Sequence, residues 1–452
     1  MMRWLHRIFM DDGGLLGIIL TSFMTSGSAT FFASLVGIPL GWWCSRQTHP
    51  SLHHVRRAVH ALYGLPPVVV GVFVYSLLSK RGLLGQLELL FTVEAMILAQ
   101  FIIILPLVWG GAWHAFESTQ KKYNDTLYSI GLTGKNRFST EIKLSSQGIS
   151  HAVILGFGRA IAEVGAVIIV GGNISGKTRV MTTSIVLETS KGNMDVAMKL
   201  GVILLLCTFT VLFLASLSKK NVFQKHRVLA QDTGLPATEP FEQIQSHTIT
   251  VTKGGKNILN NVNIELGPGR IVVLVGPSGS GKTTVLRYLA GLEGGMERHY
   301  GPGSTVWMPQ QPVALRTTVL EELSLVHDLY PGLPKCSEYL MQKMCLHLEG
   351  EQFVSNLSGG EVQRLVLTRQ FSLHPSLLLL DECTASLDGE AVRNIESEIL
   401  RMKNEGCCIV LATHNIHQAK RLADEIIVLN KGESLEHKHP VAVSILSGEF
   451  FG

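Results

Sequence analysis

Residues 271–284, IVVLVGPSGSGKTT, hold the arrangement best suited to chemistry. The β-branched run predicts a buried parallel strand, and the glycine-rich turn after it predicts a loop that closes on an anion. In that turn Gly276, Pro277, Ser278, Gly279, Ser280 and Gly281 let backbone N–H groups wrap phosphate oxygens. Lys282 follows, placed to reach the β and γ phosphates; Thr283 offers a hydroxyl to Mg2+, and Thr284, in the first turn of the helix, is expected to bind the nucleotide with them. A second apolar run, LLLLDE at 377–382, ends in Asp381 and Glu382. Asp381 suits magnesium and Glu382 suits an attacking water, the two acidic roles that phosphoryl transfer to water requires. Alone, an acidic pair after leucines is an ordinary strand end; downstream of a phosphate loop it predicts hydrolysis of a nucleoside triphosphate. Between the two runs lies NLSGGEVQRLVLTRQ at 356–370. There Ser358, Gly359, Gly360 and Glu361 open a helix whose N-terminus is ready to meet an anion.

These motifs occupy only the second half of the chain. At 452 residues, 46% hydrophobic and only 16% charged, the whole is too apolar for a soluble protein of several domains. The excess lies in residues 1–217, whereas 240–452 has an ordinary mixed composition. A bilayer core about 30 Å thick needs roughly 20 apolar residues per helix. The stretches 14–43, 62–79, 92–113, 148–172 and 198–216 meet that need. The expected architecture is an all-α polytopic membrane domain of five transmembrane helices at 1–219, a linker at 220–243, and an α/β P-loop domain at 244–452. The linker loses apolar periodicity and gathers Asp, Thr, Gly and Pro. Placing the α/β half in the cytoplasm puts loops 44–61 and 114–147 inside and the N-terminus outside. Arg46, Arg56, Arg57, Lys121, Lys122, Lys135, Arg137 and Lys143 give those loops a modest positive bias. Asp11 and Asp12 separate the basic start from the apolar stretch, unlike a cleaved signal peptide. A net charge of +4, spread along the chain, does not point to nucleic acid. Seven cysteines without metal-ligand spacing read as free thiols in a reducing compartment.

Over roughly residues 245–435 the motifs and their order resemble the ATP-binding-cassette (ABC) transporter ATPases, with LSGGE at 357–361 matching that family's signature. The resemblance implies ATP and Mg2+ as cofactors. It makes Gln310 of VWMPQQP the Q-loop residue, sharing the metal with Thr283 and Asp381; it makes SLD at 386–388, with Asp388, the D-loop, and His414 of LATHN the switch histidine that works with Glu382. In that family the signature closes over ATP held by the phosphate loop of a second subunit. One chain carries one of each, so the resemblance implies a homodimer with two composite ATP sites. Two departures stand out. TKGGKNIL at 252–259 offers no aromatic residue to stack on adenine, leaving His247 or Lys253 to replace it, and the stretch from Thr284 to Gln310 is short, with a trimmed hairpin at GGMERHYGPGS.

The apolar half resembles the permease subunits of tungstate importers, relatives of the molybdate and sulfate permeases. GLPPVVVG (64–71), LLFTVEAMILAQ (89–100) and GFGRAIAEVGAVIIVGGNISGKTRVMTTSIVLETSKGN (156–193) carry that likeness. Residues 123–148 resemble the cytoplasmic coupling segment of ABC importers, with Gly131 at the pattern's glycine and Asp125, Thr126 and Leu127 in place of Glu, Ala and Ala. Arg159 and Glu163, four residues apart, are expected on one face of the fourth span. Exposure of an ionisable group to lipid costs ~3 kcal/mol or more, so they are expected to face the interior, as a structural pair or as part of the translocation path with Asn173 at its outer end. Small residues on that span, from Gly156 to Ala166, are expected to allow close helix approach, and Pro66 and Pro67 to kink the second. The implied whole is a type I importer-like transporter in the plasma membrane, working with a separate extracytoplasmic oxyanion-binding protein. Tungstate is the first cargo, molybdate or sulfate the alternatives, and an ABC ATPase with a mere membrane anchor the other reading.

Overall fold

A computed structural model of the chain describes residues 14–47, 49, 51–132, 134–217, 243–253, 255–293, 305–315, 318–330, 340, 344, 351–385 and 387–447. The expected linker up to residue 242, the hairpin region at 294–304 and Ser386 lie outside the described residues. By its contacts the chain forms two compact units, Met1–Lys121 with Thr140–Gln224, and Lys122–Ser139 with Lys225–Gly452.

Helices make up the first unit: α1 (Leu15–Ser45), α2 (Leu52–Leu62), α3 (Pro67–Leu78), α4 (Val93–Ser129), α5 (Gly134–Ile161), α6 (Gly165–Gly171), α7 (Met181–Ser190) and α8 (Met194–Leu217). The C-terminal end of α4 and the N-terminal end of α5 belong to the second unit. Among the described residues α1, α4 and α8 are each long and apolar enough to cross a membrane, and the total rises to 5 if each of two bent pairs is one span. Both bends have a local cause. Pro66 is extended (φ −66°, ψ 119°) and Pro67 opens α3, so the proline pair starts a helix instead of kinking one. The α2–α3 pair is bent by 98° there.

The second bend corrects the reading of Arg159 and Glu163. α5 stops at Ile161 and α6 starts at Gly165, with a bend of 59°. Glu163 lies in the break, only 8% exposed, where its Oε1 accepts the Ala166 N–H at 3.2 Å. The side chain thus satisfies a free N–H at the start of α6. The Gln100 amide donates to the Ala160 carbonyl at 2.9 Å, serving the end of α5 in the same way. Arg159, still on α5, is exposed, and among the described residues no ion pair joins it to Glu163. The continuous helix face that would have paired them does not exist.

Glycines set how closely the helices approach. A Cβ on Gly41 would stand 2.7 Å from the Trp113 nitrogen, and one on Gly71 2.7 Å from the Ala166 Cα. α3 and α6 therefore meet backbone to backbone over a core that includes Val70, Val74, Met96, Val167 and Val170. Of the small residues expected to do this, Gly156, Ala160 and Ala166 are buried, while a Cβ on Gly158 would meet nothing within 4 Å.

In the second unit β1 (Gln245–Lys253) and β2 (Lys256–Leu266) pair antiparallel. A six-stranded sheet has the order β4-β5-β6-β3-β7-β8. Its strands β3 (Ile271–Val275), β4 (Thr305–Met308), β5 (Leu377–Asp381), β6 (Cys408–Ala412) and β7 (Glu425–Asn430) are parallel, and β8 (Glu433–Leu435) closes one edge antiparallel. Every residue of β3, β4, β5 and β6 is buried. That burial explains the unbroken apolar runs, because a parallel sheet is covered on both faces. The described residues of the unit also form helices α9 (Lys282–Leu289), α10 (Val319–Leu329), α11 (Gly359–Phe371), α12 (Gly389–Asn404), α13 (Ile416–Leu422) and α14 (Pro440–Ser447).

The close contact of α3 with α6 yields a stability test. Gly71→Val is expected to cost about 1–3 kcal/mol through overpacking. Thermal unfolding of the purified full chain should show the loss, while Gly158→Ala leaves the transition in place; equal behaviour of the two variants would contradict the packing described.

Candidate active site

The carboxyl ends of β3, β4, β5 and β6 converge, the crevice where open α/β sheets hold ligands. From β3 comes the loop at 276–281, from β4 Gln310, from β5 Asp381 and Glu382, and from β6 His414. Gly276 is there because nothing larger fits: a Cβ would stand 2.1 Å from the Leu429 carbonyl oxygen. Gly281, at φ +107°, takes a left-handed turn immediately before α9. Lys282 is buried, and its ammonium donates to the Gly276 carbonyl at 2.8 Å and the Pro277 carbonyl at 3.1 Å. A third N–H donor remains for a ligand. Ser280 is 2% exposed, and its hydroxyl, beside Gly276, has no partner among the described residues. A buried hydroxyl and backbone N–H groups opening at a helix N-terminus fit a phosphate.

Opposite the loop, the Thr283 hydroxyl donates to Asp381 Oδ2 at 2.8 Å. The Gln310 amide donates to Glu382 Oε2 at 2.8 Å, and His414 Nδ1 lies 3.5 Å from Glu382 Oε1. Glu382 itself is in the left-handed region at φ +48°, its N–H bonded to the Ala412 carbonyl at 3.0 Å, which turns it out of the strand. Burial pushes the Asp381 carboxyl up from its ordinary range and the neighbouring charge of Glu382 adds to this, while the Thr283 hydroxyl and Lys282 oppose it. Burial likewise pushes the Lys282 ammonium down, against the pull of Glu382 and Asp381. The Asp381 carboxylate, the Thr283 hydroxyl bonded to it and the amide oxygen of Gln310 in the same cleft are hard oxygen donors of the kind that fit a divalent cation.

The resulting cleft, of about 630 Å3, is lined by Ile258, Pro277, Ser278, Gly279, Gly281, Lys282, Thr283, Thr284, Gln310, Glu382 and His414. That is the size of an ordinary small-molecule site. The residues expected to act together thus meet, except for two groups. Ser358, Gly359, Gly360 and Glu361 start α11, and Asp388 caps α12; neither group lines the cleft. Ser358 and Glu361 form a reciprocal cap, with the Ser358 N–H donating to Glu361 at 2.7 Å, and bonds from Ser358 hold the Glu361 carboxyl below its usual range. The Ala391 N–H holds Asp388 low in the same manner. Arg159, Glu163 and Asn173 belong to the other unit, where Asn173 Oδ1 accepts the Thr183 hydroxyl at 2.9 Å.

Two features had no sequence signal. Ile258 lines the cleft, whereas His247 and Lys253 do not, and Lys253 pairs instead with Glu293 at 3.4 Å. Arg287, one turn past Lys282 on α9, binds Asp125 at 2.8 Å and Glu293 at 2.9 Å and lies 5.4 Å over the Trp307 ring. The Tyr330 hydroxyl donates to the Ile130 carbonyl at 2.9 Å, and burial pushes its pKa up to about 12. Asp125 and Ile130 belong to the 122–139 segment, which these bonds tie to the phosphate-loop helix and to α10.

Comparison with known proteins adds three relatives and a family. The profile described as ABC transporter matches residues 259–385. The tungstate uptake system permease protein TupB of Peptoclostridium acidaminophilum is 37% identical over 198 residues, 43% of this chain and 85% of that protein. TupB of Campylobacter jejuni subsp. jejuni is 34% identical over 217 residues, 48% of this chain and 91% of its own length. Both match the N-terminal part. The zinc import ATP-binding protein ZnuC of Yersinia enterocolitica is 34% identical over 190 residues, 40% of this chain and 74% of that protein.

The raised Asp381 predicts a pH signature. A carboxyl raised on folding weakens the fold as pH rises from its ordinary value to its folded one, and the full loss persists above that. Asp381→Asn is therefore expected to unfold at higher temperature than the unsubstituted chain at pH 7 without nucleotide, with the gap closing as pH falls. A gap that widens toward acid would contradict this.

Proposed function

We propose that this chain, which belongs to the ABC transporters and joins an importer-type permease to its ATPase in one polypeptide, drives an oxyanion inward with ATP, tungstate ahead of molybdate or sulfate. One conjunction carries the reading: an N-terminal part similar to permeases named for tungstate uptake continues into a unit that gathers the phosphate loop, Gln310, Glu382 and His414 in one cleft, with Asp381 bonded to the Thr283 that lines it. The relative named for zinc import is an ATP-binding protein, whereas the TupB relatives of the permease part are named for tungstate.

In this reading the loop N–H groups and Lys282 hold the β and γ phosphates, and Thr283, Asp381 and Gln310 hold Mg2+. The ion supplies positive charge to the phosphate oxygens. Glu382 takes the proton of the attacking water, with Gln310 and His414 fixing its two oxygens. Ser358 to Glu361 and Asp388, which stand away from the cleft of their own chain, close the ATP site of a second copy. Closure is a population shift: ATP binds the closed pair better than the open one, and that difference is what moves the permease. The shift leaves α9 through Arg287 and Asp125 and enters α4 and α5, which run on into the helical unit. The ATPase faces the cytoplasm of a plasma membrane, the N-terminus lies outside, and a separate extracytoplasmic protein delivers the oxyanion. Arg159 and Asn173 are candidates for the path, and Glu163 acts through the break it caps.

Proteoliposomes supplied with candidate oxyanion-binding proteins test this. Labelled tungstate should accumulate with ATP, molybdate more weakly and sulfate hardly at all, and Glu382→Gln should lower hydrolysis at least about a hundredfold. Equal uptake of sulfate, or uptake of zinc, overturns the cargo; a wild-type rate in the Glu382 variant overturns its role. Reversing Arg287 to Asp is expected to cut uptake about tenfold while hydrolysis persists, and adding Asp125→Arg should restore it. Failure of the double variant to recover would contradict the transmission path.

A further inference from the structure

We propose that α2 lies along the membrane surface, at the end of the bundle where α4 runs on into the second unit, and that its Arg57 holds an acidic phospholipid of that leaflet. α3 is almost wholly apolar and contributes Val70, Val74 and Leu78 to the buried core of the helices. α2 turns 98° from it. A helix at a right angle to one that runs through hydrocarbon lies in the plane of the interface.

The sequence LHHVRRAVHAL sorts into three rows at helical spacing. Leu52, Arg56 and Val59 form the packed row: Val59 is 2% exposed, and a Cβ on Gly110 of α4 would stand 3.2 Å from its Cγ1. On one side of that row Val55, Ala58 and Leu62 are exposed, and on the other His53, Arg57 and His60 are exposed. An apolar flank beside a basic flank is the pattern of a helix seated at the level of the lipid headgroups. Aromatic rings mark that level independently. Trp43, at the end of α1, is 55% exposed; the Arg46 guanidinium lies 5.0 Å over the Trp42 ring and that of Arg56 4.9 Å over the Trp113 ring of α4.

Charge selects the lipid. The chain has no acidic residue between Asp12 and Glu88. The carboxylate that α4 brings to α2, that of Glu117, is engaged by Arg56 at 2.5 Å and by Lys121 at 3.4 Å. Arg57 makes no ion pair among the described residues. An exposed guanidinium beside an apolar flank at headgroup level meets phosphate oxygens, which it can grip with two N–H groups. A zwitterionic headgroup cancels that attraction with its own ammonium, so an acidic one is held more tightly.

Full-length protein carrying one fluorophore, attached through Ala58→Cys, tests this in phosphatidylcholine bilayers that contain lipids with a nitroxide quencher on the acyl chain. Both quencher lipids should reach the fluorophore, and phosphatidylglycerol should reach half-maximal quenching at about fivefold lower mole fraction than phosphatidylcholine. Salt near 1 M should shrink that advantage. Arg57→Gln should abolish it and Arg57→Lys should retain most of it. Quenching by neither lipid, the outcome if a second copy of the chain covers the flank, overturns the inference. Equal quenching by both lipids, or an advantage that survives Arg57→Gln, overturns it as well.

Discussion

Two carboxyls, Asp381 and Glu382, stand at the end of one fully buried strand against the ammonium of Lys282, and the second unit is arranged around the cost of that burial. Desolvation disfavours the charges of Asp381 and Lys282; the ammonium and the acids favour one another, whereas Glu382 adds to the cost at Asp381, so Asp381 is pushed up and Lys282 down. Such a balance needs fixed geometry. The sheet provides it: Asp381 is in register with Ala412 on β6, and Leu274 of β3 pairs with the same residue from the other side. The loop and both acids are thereby placed by three adjacent strands of a core that leaves them little freedom.

That rigidity extends toward the helices along one element. α9 begins at Lys282 and carries Arg287 within its eight residues, so one short helix joins the loop to Asp125. Asp125 lies on the last turns of a 37-residue helix whose other end is in the first unit. The pair is partly exposed, and its strength alone would be modest. Tyr330 on Ile130 and the buried side chains of Leu127 and Leu132 make the attachment more than one ion pair.

The legible parts were those encoded by contiguous residues. The phosphate loop, LLLLDE and LSGGE each combine a run with the period of its element and residues whose chemistry acts within a few positions, and the structure brings the first two together as the spacing implied. The illegible parts depended on distant partners or on a choice between local rules. Arg287 and Asp125 are 162 positions apart, and neither is unusual on its own helix. Ile258 is one aliphatic residue in a strand of them, marked only by which way the pleat turns it. The i, i+4 spacing of Arg159 and Glu163 implied one continuous helix, and because α5 breaks before Gly165 Glu163 caps the next helix instead. Pro66 and Pro67 implied a kink, and the extended conformation of residue 66 makes them the start of a helix instead.

Clamping of nucleotide between two copies of the chain is the claim on which the transport account stands, and a spin label placed only at the exposed position 355, next to the signature, addresses it most directly. In reconstituted Glu382→Gln protein, pulsed dipolar spectroscopy should find one distance between copies that shortens when ATP and Mg2+ are added. No distance between copies, or a distance indifferent to nucleotide, would contradict the account.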